Sequence, residues 1–466
     1  MTRPRVHRRP RGPAGRIERA SATDMMELAS ATTPAASQIG AVLILSPDGP
    51  LDFDAVSDAV NERIRAVPRL RQRLMPTPLG GGRPVWVDDA SFHIGNHLEQ
   101  AACPAPGDRS AVLDLAADLV ARPLPRHRPL WSATLVVGLA DGAAALVLRF
   151  HHVMVDGMGG LAMLTHLVDG MPPSDAADFP RPAPRTAALI VDAACARLAA
   201  LSRPRRAAAA LRSALAELRT PPTRAARCSL NQPVGARRAI AVARADLNSI
   251  HVTARRHGAS INDVLLVAIT GALARFLGER NEDVDHLVVS VPVSGRVGAT
   301  ATEPGNRIGV VAVNLPTLGP PADRVAAAAT ITRDRKRRGR DASSALLVAL
   351  FRLLGAVRAV RWVTEHQHLV NTFVTNLRGP ADRVGFLGAP VADLIPINST
   401  SGNVRLAFGV FSYAGTLTVT LVADAALTED LPALVEHLQL ELARIEAARG
   451  VTDEPSAGDV PPVAHG

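Results

Sequence analysis

With 466 residues and 47% hydrophobic side chains, the chain has enough apolar material for more than one core, which predicts two domains. Three widely spaced cysteines, Cys103, Cys195 and Cys228, exclude a disulfide framework and a paired-cysteine metal motif, and they fit a reducing compartment. The formal net charge of +9 is unevenly spread and its arginines do not interleave with aromatics, which make up only 3%, so nucleic acid is not an expected partner.

Residues 1–20 hold seven arginines, from Arg3 to Arg19, against the single acid Glu18. Pro10, Gly12, Pro13 and Gly15 exclude a stable helix there, and no apolar run marks a secretory signal, so a disordered basic arm is expected. The arm is read either as a solubilising tail or as a segment drawn to anionic lipid headgroups. From residue 21 the pattern becomes regular. Ile39–Leu45 reads as a buried strand, Asp52–Val67 as a charged helix, Arg83–Val87 as a short strand and Ser110–Leu119 as a helix. Trp131–Gly138 and Ala143–His152 read as two strands joined through Asp141-Gly142, a hairpin signal, with a helix following over Gly159–Val168.

Residues 181–227 differ in texture. They are Ala-rich, Pro-flanked and strongly basic, and they predict a helical connector divided at Pro204. Its charge is read as a solvated face or as a surface toward lipid or an acidic ligand. Alternation of helices and strands then resumes: helix Asn262–Leu277, strands Leu287–Val293 and Ile308–Leu315, and helices Arg324–Arg333 and Ala345–Trp362. Strands Thr372–Thr375, Val404–Tyr413 and Leu417–Ala423 precede a last helix, Leu431–Ala448. The expected organisation is an N-terminal lobe over 21–180, the connector, a C-terminal lobe over 228–450 and a disordered tail over 451–466. Ala345–Trp362 is the most apolar long stretch, and Arg352, Arg358 and Arg361 interrupt it, so no segment is expected to span a bilayer.

The chemistry concentrates where the strand Ala143–His152 ends. Strand alternation sends Leu146, Leu148, Phe150 and His152 to one face and Val147, Arg149 and His151 to the other. His152 thus ends an apolar face, where burial favours a neutral imidazole able to accept a hydroxyl proton near pH 7. Asp156, in a turn with Gly157, Gly159 and Gly160, is a weaker base and is suited to holding backbone N–H groups or an arginine. Two further readings stand beside this one. His151, His152 and Asp156 offer three metal ligands, although adjacent strand histidines diverge, and both histidines can be satisfied core residues.

The string His151-His152-x-x-x-Asp156-Gly157 resembles the HHxxxDG signature of CoA-dependent acyltransferases. Further stretches are similar to the bacterial wax ester synthase/diacylglycerol acyltransferase branch: Arg128-Pro129-Leu130-Trp131, Leu230-Asn231 with Gly235 and Arg237-Arg238, and Ser260-Ile261-Asn262-Asp263-Val264. Val291-Pro292-Val293-Ser294, Gly305-Asn306, Thr375-Asn376-Leu377-Arg378-Gly379-Pro380 and Ser412-Tyr413-x-Gly415 follow in the same order. The opening element departs from the family's PLSxxDxxFL: Ser21–Leu28 keeps Asp24 but lacks the Pro-Leu and the Phe.

The resemblance implies a mixed α/β fold of two chloramphenicol-acetyltransferase-like lobes with an interlobe tunnel. It implies transfer from acyl-CoA, a cosubstrate with no other cofactor or metal, to a diacylglycerol or long-chain fatty alcohol. His152, assisted by His151 and Asp156, would serve as general base. Asn376, Thr375 and Gly157 are the candidates for binding substrate or the oxyanion. Arg296 would pair with Asp156, and Asn262 and Asp263 would fix a helix start near the site. The enzyme would lie peripherally on an anionic membrane or lipid-droplet surface, at the cytoplasmic inner face. A carrier-protein-dependent acyltransferase and a non-catalytic lipid-binding protein are the competing readings.

Overall fold

A computed structural model describes residues 17–30, 37–154, 157–170, 178–202, 224–294, 308–338 and 360–448. In chain order the first part comprises α1 (Ala22–Ser30), β1 (Gln38–Leu45), α2 (Phe53–Arg63), β2 (Gln72–Met75), β3 (Val85–Asp88) and β4 (Leu98–Ala102). Next come α3 (Arg109–Ala121), β5 (Trp131–Val137), β6 (Ala144–His151), α4 (Gly157–Leu167) and α5 (Thr186–Leu201). The second part comprises β7 (Arg238–Asp246), α6 (Leu247–Arg256), α7 (Ile261–Gly278), β8 (His286–Ser294), β9 (Ile308–Pro316) and α8 (Pro321–Arg338). It closes with α9 (Val360–Glu365), β10 (Thr372–Arg378), β11 (Gly385–Phe386), β12 (Ala389–Ile397), β13 (Leu406–Tyr413), β14 (Thr416–Asp424) and α10 (Leu431–Ala447).

Two six-stranded sheets organise these elements, in the orders β11-β12-β1-β6-β5-β4 and β7-β14-β13-β10-β8-β9. The expected hairpin joins β5 to β6, with Asp141 accepting from the Ala143 N–H and Gly142 at φ +75° closing the turn. Every residue of β6 is buried. On one face Leu146, Leu148 and Phe150 join the core of the first lobe, and on the other Ala145 and Val147 pack with Val112, Ala116 and Leu119 of α3. Asp52 and Asp108 cap α2 and α3 by accepting from backbone N–H groups three residues on. In the second lobe α7 is the core helix, packed between α8 and α10. Length and composition alone would let α7 cross a membrane, but 72% of it is buried inside the protein. Nearly all of the stretch singled out for its apolarity, 345–362, lies outside the described residues.

Three expectations change. First, residues 17–20 do not belong to a disordered arm. The Glu18 carbonyl accepts from the Trp86 N–H, Ala20 donates to the Pro84 carbonyl, and Ala20 is fully buried. Arg19 binds Asp192 and the carbonyls of Gly81, Arg83 and Leu189, and Glu18 pairs with Arg69. These partners lie far along the chain, so local composition does not announce them. Second, the connector contributes one described helix, α5, held by Asp192 and by Arg181 on Asp88; Pro204 falls outside the described residues. Third, β11 and β12 come from the second half of the sequence but complete the first sheet, where β12 runs antiparallel to β1. The lobes therefore interlock. Asp393 of β12 pairs with Arg244 of β7 and with Arg109 of α3, and Ile395 and Ile397 pack with Val42, Ile44 and Ile240.

Candidate active site

The turn after β6 is pinned from several sides. The His151 N–H donates to the Leu130 carbonyl at 2.9 Å, His152 to the Ser37 carbonyl at 2.7 Å and Met154 to the His151 carbonyl at 2.9 Å. The Val153 N–H donates to the His151 ring, at Nδ1, over 3.1 Å. Leu130, just before β5, and Trp131, its first residue, position this turn. The Trp131 indole donates to the Leu70 carbonyl, and its ring stacks on His97, which stacks in turn on Phe92. The Arg-Pro-Leu-Trp stretch thus builds the wall behind the histidines.

The two histidines have different environments. His151 is buried, and its Nδ1 must be unprotonated to accept from Val153. Burial, with smaller contributions from His152 and Arg126, pushes its pKa down to about 4. His152 lies one residue past β6 and keeps 26% of its side chain exposed. Its Nδ1 is buried and has no hydrogen-bond partner among the described residues. Burial thus holds His151 neutral, on the face opposite the one where strand alternation predicts a neutral ring. What distinguishes His152 is a ring that is reachable on one side and sealed on the other.

Val153 and Met154 anchor the turn in the first core, together with Met163, Leu164 and Leu167 of α4. Gly157 opens α4, which packs against α2 and β10. Asp169, just beyond α4, accepts from the Leu387 and Gly388 N–H groups and pairs with Arg63. Although burial opposes it, these bonds hold the Asp169 carboxyl below the usual carboxylate range. Asp156 and Arg296, and hence their expected pairing, lie outside the described residues.

Thr375 and Asn376 sit, half-buried, where the second sheet splits. β10 pairs with β8 only at Thr372 and Phe373, and then continues along β13 alone while β8 continues with β9. The seam between β8 and β10 therefore opens beside Thr375 and Asn376, on the strand that α4 touches. Leu377, Phe411 and Tyr413 share one apolar cluster with Val153 and Met154, so this seam and the histidine turn belong to the same region. Gly379 is required there, since a Cβ would lie 2.4 Å from the Phe411 ring. The Tyr413 hydroxyl donates to the Val391 carbonyl and accepts from the Val384 N–H, tying β13 to the first sheet.

Asp263 plays the expected structural part. With Ser260 it forms a reciprocal capping box at the start of α7, and its second oxygen accepts from Thr332. Asn262 is half-buried at the same helix start. One residue near the histidines was not anticipated. Glu27 of α1 brings Oε1 to 4.0 Å from the His152 Nδ1. The available signal was the departure in the opening element, where Glu27 occupies the position that carries Phe in the related motif. Asp24 in that element caps α1 with Ser21, and its burial pushes the carboxyl up. Two surface clefts, of about 280 and 520 Å³, are lined by residues of the first lobe and connector; His152 lines neither.

Residues 21–265 match the wax ester synthase/diacylglycerol acyltransferase catalytic domain, and residues 304–446 match the C-terminal domain of the same enzymes. A probable diacylglycerol O-acyltransferase of Mycobacterium tuberculosis, tgs1, is 30% identical over 428 residues, covering 88% of this chain and 91% of the relative. The chain belongs to the wax ester synthase/diacylglycerol acyltransferase family. As a member of that family it is an acyltransferase. Its fold resembles the wax ester synthase/diacylglycerol acyltransferase of Marinobacter aquaeolei VT8, with a TM-score of 0.66 and 23% identity over 92% of this chain and 98% of that one. The first condensation domain of the CDA synthetase has the same two-lobed fold, with a TM-score of 0.63 and 20% identity over 95% and 99% of the two chains. A starter condensation domain of rhizomide synthetase, solved with C8-CoA and Leu-SNAC, is similar at a TM-score of 0.63, 17% identity and coverage of 94% and 97%.

Proposed function

We propose that this acyltransferase moves a fatty acyl group from acyl-CoA to the hydroxyl of a lipid alcohol, diacylglycerol or a long-chain fatty alcohol, with His152 as general base. The observation that carries this reading is the contrast within the histidine pair. His151 is committed to the backbone and neutral, while His152 presents a partly exposed ring on a turn fixed from several sides. The diacylglycerol acyltransferase named among the relatives supports the acceptor, and the CoA-bound starter condensation domain supports the donor. His152 removes the hydroxyl proton as the oxygen attacks the thioester carbonyl carbon. The tetrahedral intermediate collapses with breakage of the carbon–sulfur bond, and the thiolate leaves with the proton from His152. Asn376 and Thr375 are the proposed donors to the oxyanion, at the seam beside α4. Asp156 is proposed to organise the turn, with Gly157 allowing close approach of the backbone.

The same reading places the protein at a membrane or lipid-droplet surface, on the cytoplasmic side. Ile190, Val191 and Leu198 of α5 are exposed, with Arg185 and Arg197 nearby on the same helix and its approach. An apolar face bordered by arginines suits anionic lipid, at about 1 kcal/mol per basic residue near the surface. The deciding experiment is thiol release from palmitoyl-CoA, with dioleoylglycerol and hexadecanol offered separately. Release that depends on an alcohol and is lost in His152→Ala supports the proposal. Turnover retained in His152→Ala would remove His152 as the base, and no release with either alcohol would point to a carrier-bound donor.

A further inference from the structure

We infer that Glu27 is the positioning residue for His152, its carboxylate receiving the Nδ1–H and leaving Nε2 to face the substrate hydroxyl. The inference rests on His152 acting as the base. Three observations converge on it. The His152 Nδ1 is sealed from solvent and makes no hydrogen bond among the described residues, an unfavourable state unless a partner reaches it. Glu27 Oε1 stands 4.0 Å away on α1, a helix held by its Ser21–Asp24 capping box and by packing against α9. And Glu27 replaces the aromatic residue of the related opening element, so a carboxylate is delivered to a place where the family pattern puts a hydrocarbon ring.

The separation is about 1 Å longer than a hydrogen bond, and catalytic contacts in ligand-free proteins are commonly long and tighten when substrate binds. Closing it takes about 1 Å of movement of the Glu27 carboxylate toward the ring. A carboxylate has about four acceptor sites, so Glu27 keeps its other contact while it takes the imidazole N–H. Among the described residues, the neighbouring groups do not compete for the role. The His151 Nδ1 is occupied by Val153, and Arg126 acts on His151. On α9, Arg361 and Glu365 pair with each other. A carboxylate on Nδ1 fixes the tautomer in which Nε2 is the acceptor, and it stabilises the imidazolium formed when the substrate proton arrives.

The test uses the full chain with Glu27→Gln, Glu27→Asp and, separately, His152→Ala. Glu27→Gln is expected to lower kcat roughly 10- to 100-fold, less than neutralising a fully buried orienting carboxylate does. The KM for palmitoyl-CoA and the Tm should stay unchanged, and Glu27→Asp should recover part of the rate. Nitrogen-15 spectra of the His152 ring, which need no turnover, should show the proton on Nδ1 in the parent and a tautomer mixture in Glu27→Gln. The inference is overturned if Glu27→Gln keeps the parent kcat, if its loss appears in KM or Tm alone, or if the tautomer is unchanged. His152→Ala separates the two readings. If it is inactive while the Glu27 variants are unimpaired, only the positioning role fails; if it is active, the base itself has been misassigned.

Discussion

Adjacent residues, His151 and His152, share a side-chain chemistry and are separated in function by where each ring nitrogen goes. His151→Ala strands the buried Val153 N–H and is expected to cost about 1–3 kcal/mol, whereas His151→Asn, whose side-chain oxygen can accept the same bond, should recover much of it. Urea unfolding of the two variants checks this; equal losses would mean that the bond does not matter. The pH dependence has a definite sign. Above pH 6.5 the ring is neutral folded and unfolded, so it adds no slope. Between 6.5 and about 4 the unfolded chain binds a proton that the folded chain refuses, so stability falls as pH falls. The span corresponds to a loss of about 3 kcal/mol at most. Tm against pH should therefore drop less steeply below pH 6 in His151→Asn than in the parent. At this scale the sequence announced the histidine pair but not the division of labour, because parity along a strand cannot tell that the chain turns immediately after His151. Glu27 was illegible for a related reason: its partner lies 125 positions away, and only the departure from the family's aromatic residue hinted at it.

Elements carry the site through the parting of β8 from β10 and the docking of α4 beside it. If Asn376 donates to the oxyanion, Asn376→Ala should reduce kcat by about 10²–10³ with little change in KM. Steady-state kinetics on a well-folded variant decides it, and a loss confined to KM would assign Asn376 to ground-state binding. For α5, Ile190→Asp with Leu198→Asp should reduce co-sedimentation with phosphatidylglycerol vesicles and leave the Tm unchanged, since both side chains are exposed. Unaltered sedimentation would move the lipid contact elsewhere. Most helices and strands were legible from periodicity and caps. Five strands, β2, β4, β7, β11 and β12, were not, and for the two long ones the reason is physical. β7 alternates Ala239, Ala241, Ala243 and Ala245 with Ile240, Val242 and Arg244, and alanine gives little strand signal. β12 carries Pro390 and Pro396, which argue against an interior strand, yet it lies between β11 and β1.

Across the molecule, alternating elements and landmarks in both halves made the two-lobed class readable, while the sheet order was not, since it depends on pairings between distant segments. The exchange of β12 has a testable result. A fragment ending at residue 237 keeps the histidine turn but leaves the edge of β1 unpaired, and it should be insoluble or aggregated. A monomeric, cooperatively unfolding fragment on gel filtration and circular dichroism would show that the first lobe is self-sufficient. Asp393 fastens the same exchange through Arg244 and Arg109, and since both arginines are substantially exposed, Asp393→Ala should cost only about 1 kcal/mol by way of these pairs.

The interior place of β12 also imposes an order on biogenesis. During synthesis β1 and β6 emerge early and can pair, but the strand that covers the other side of β1 leaves the ribosome roughly 350 residues later, a delay of about 20–70 s at ordinary elongation rates. For that interval a long apolar edge, Ala41–Leu45, waits for its partner, so holdase chaperones rather than catalytic demands should limit the yield of this protein in the cell.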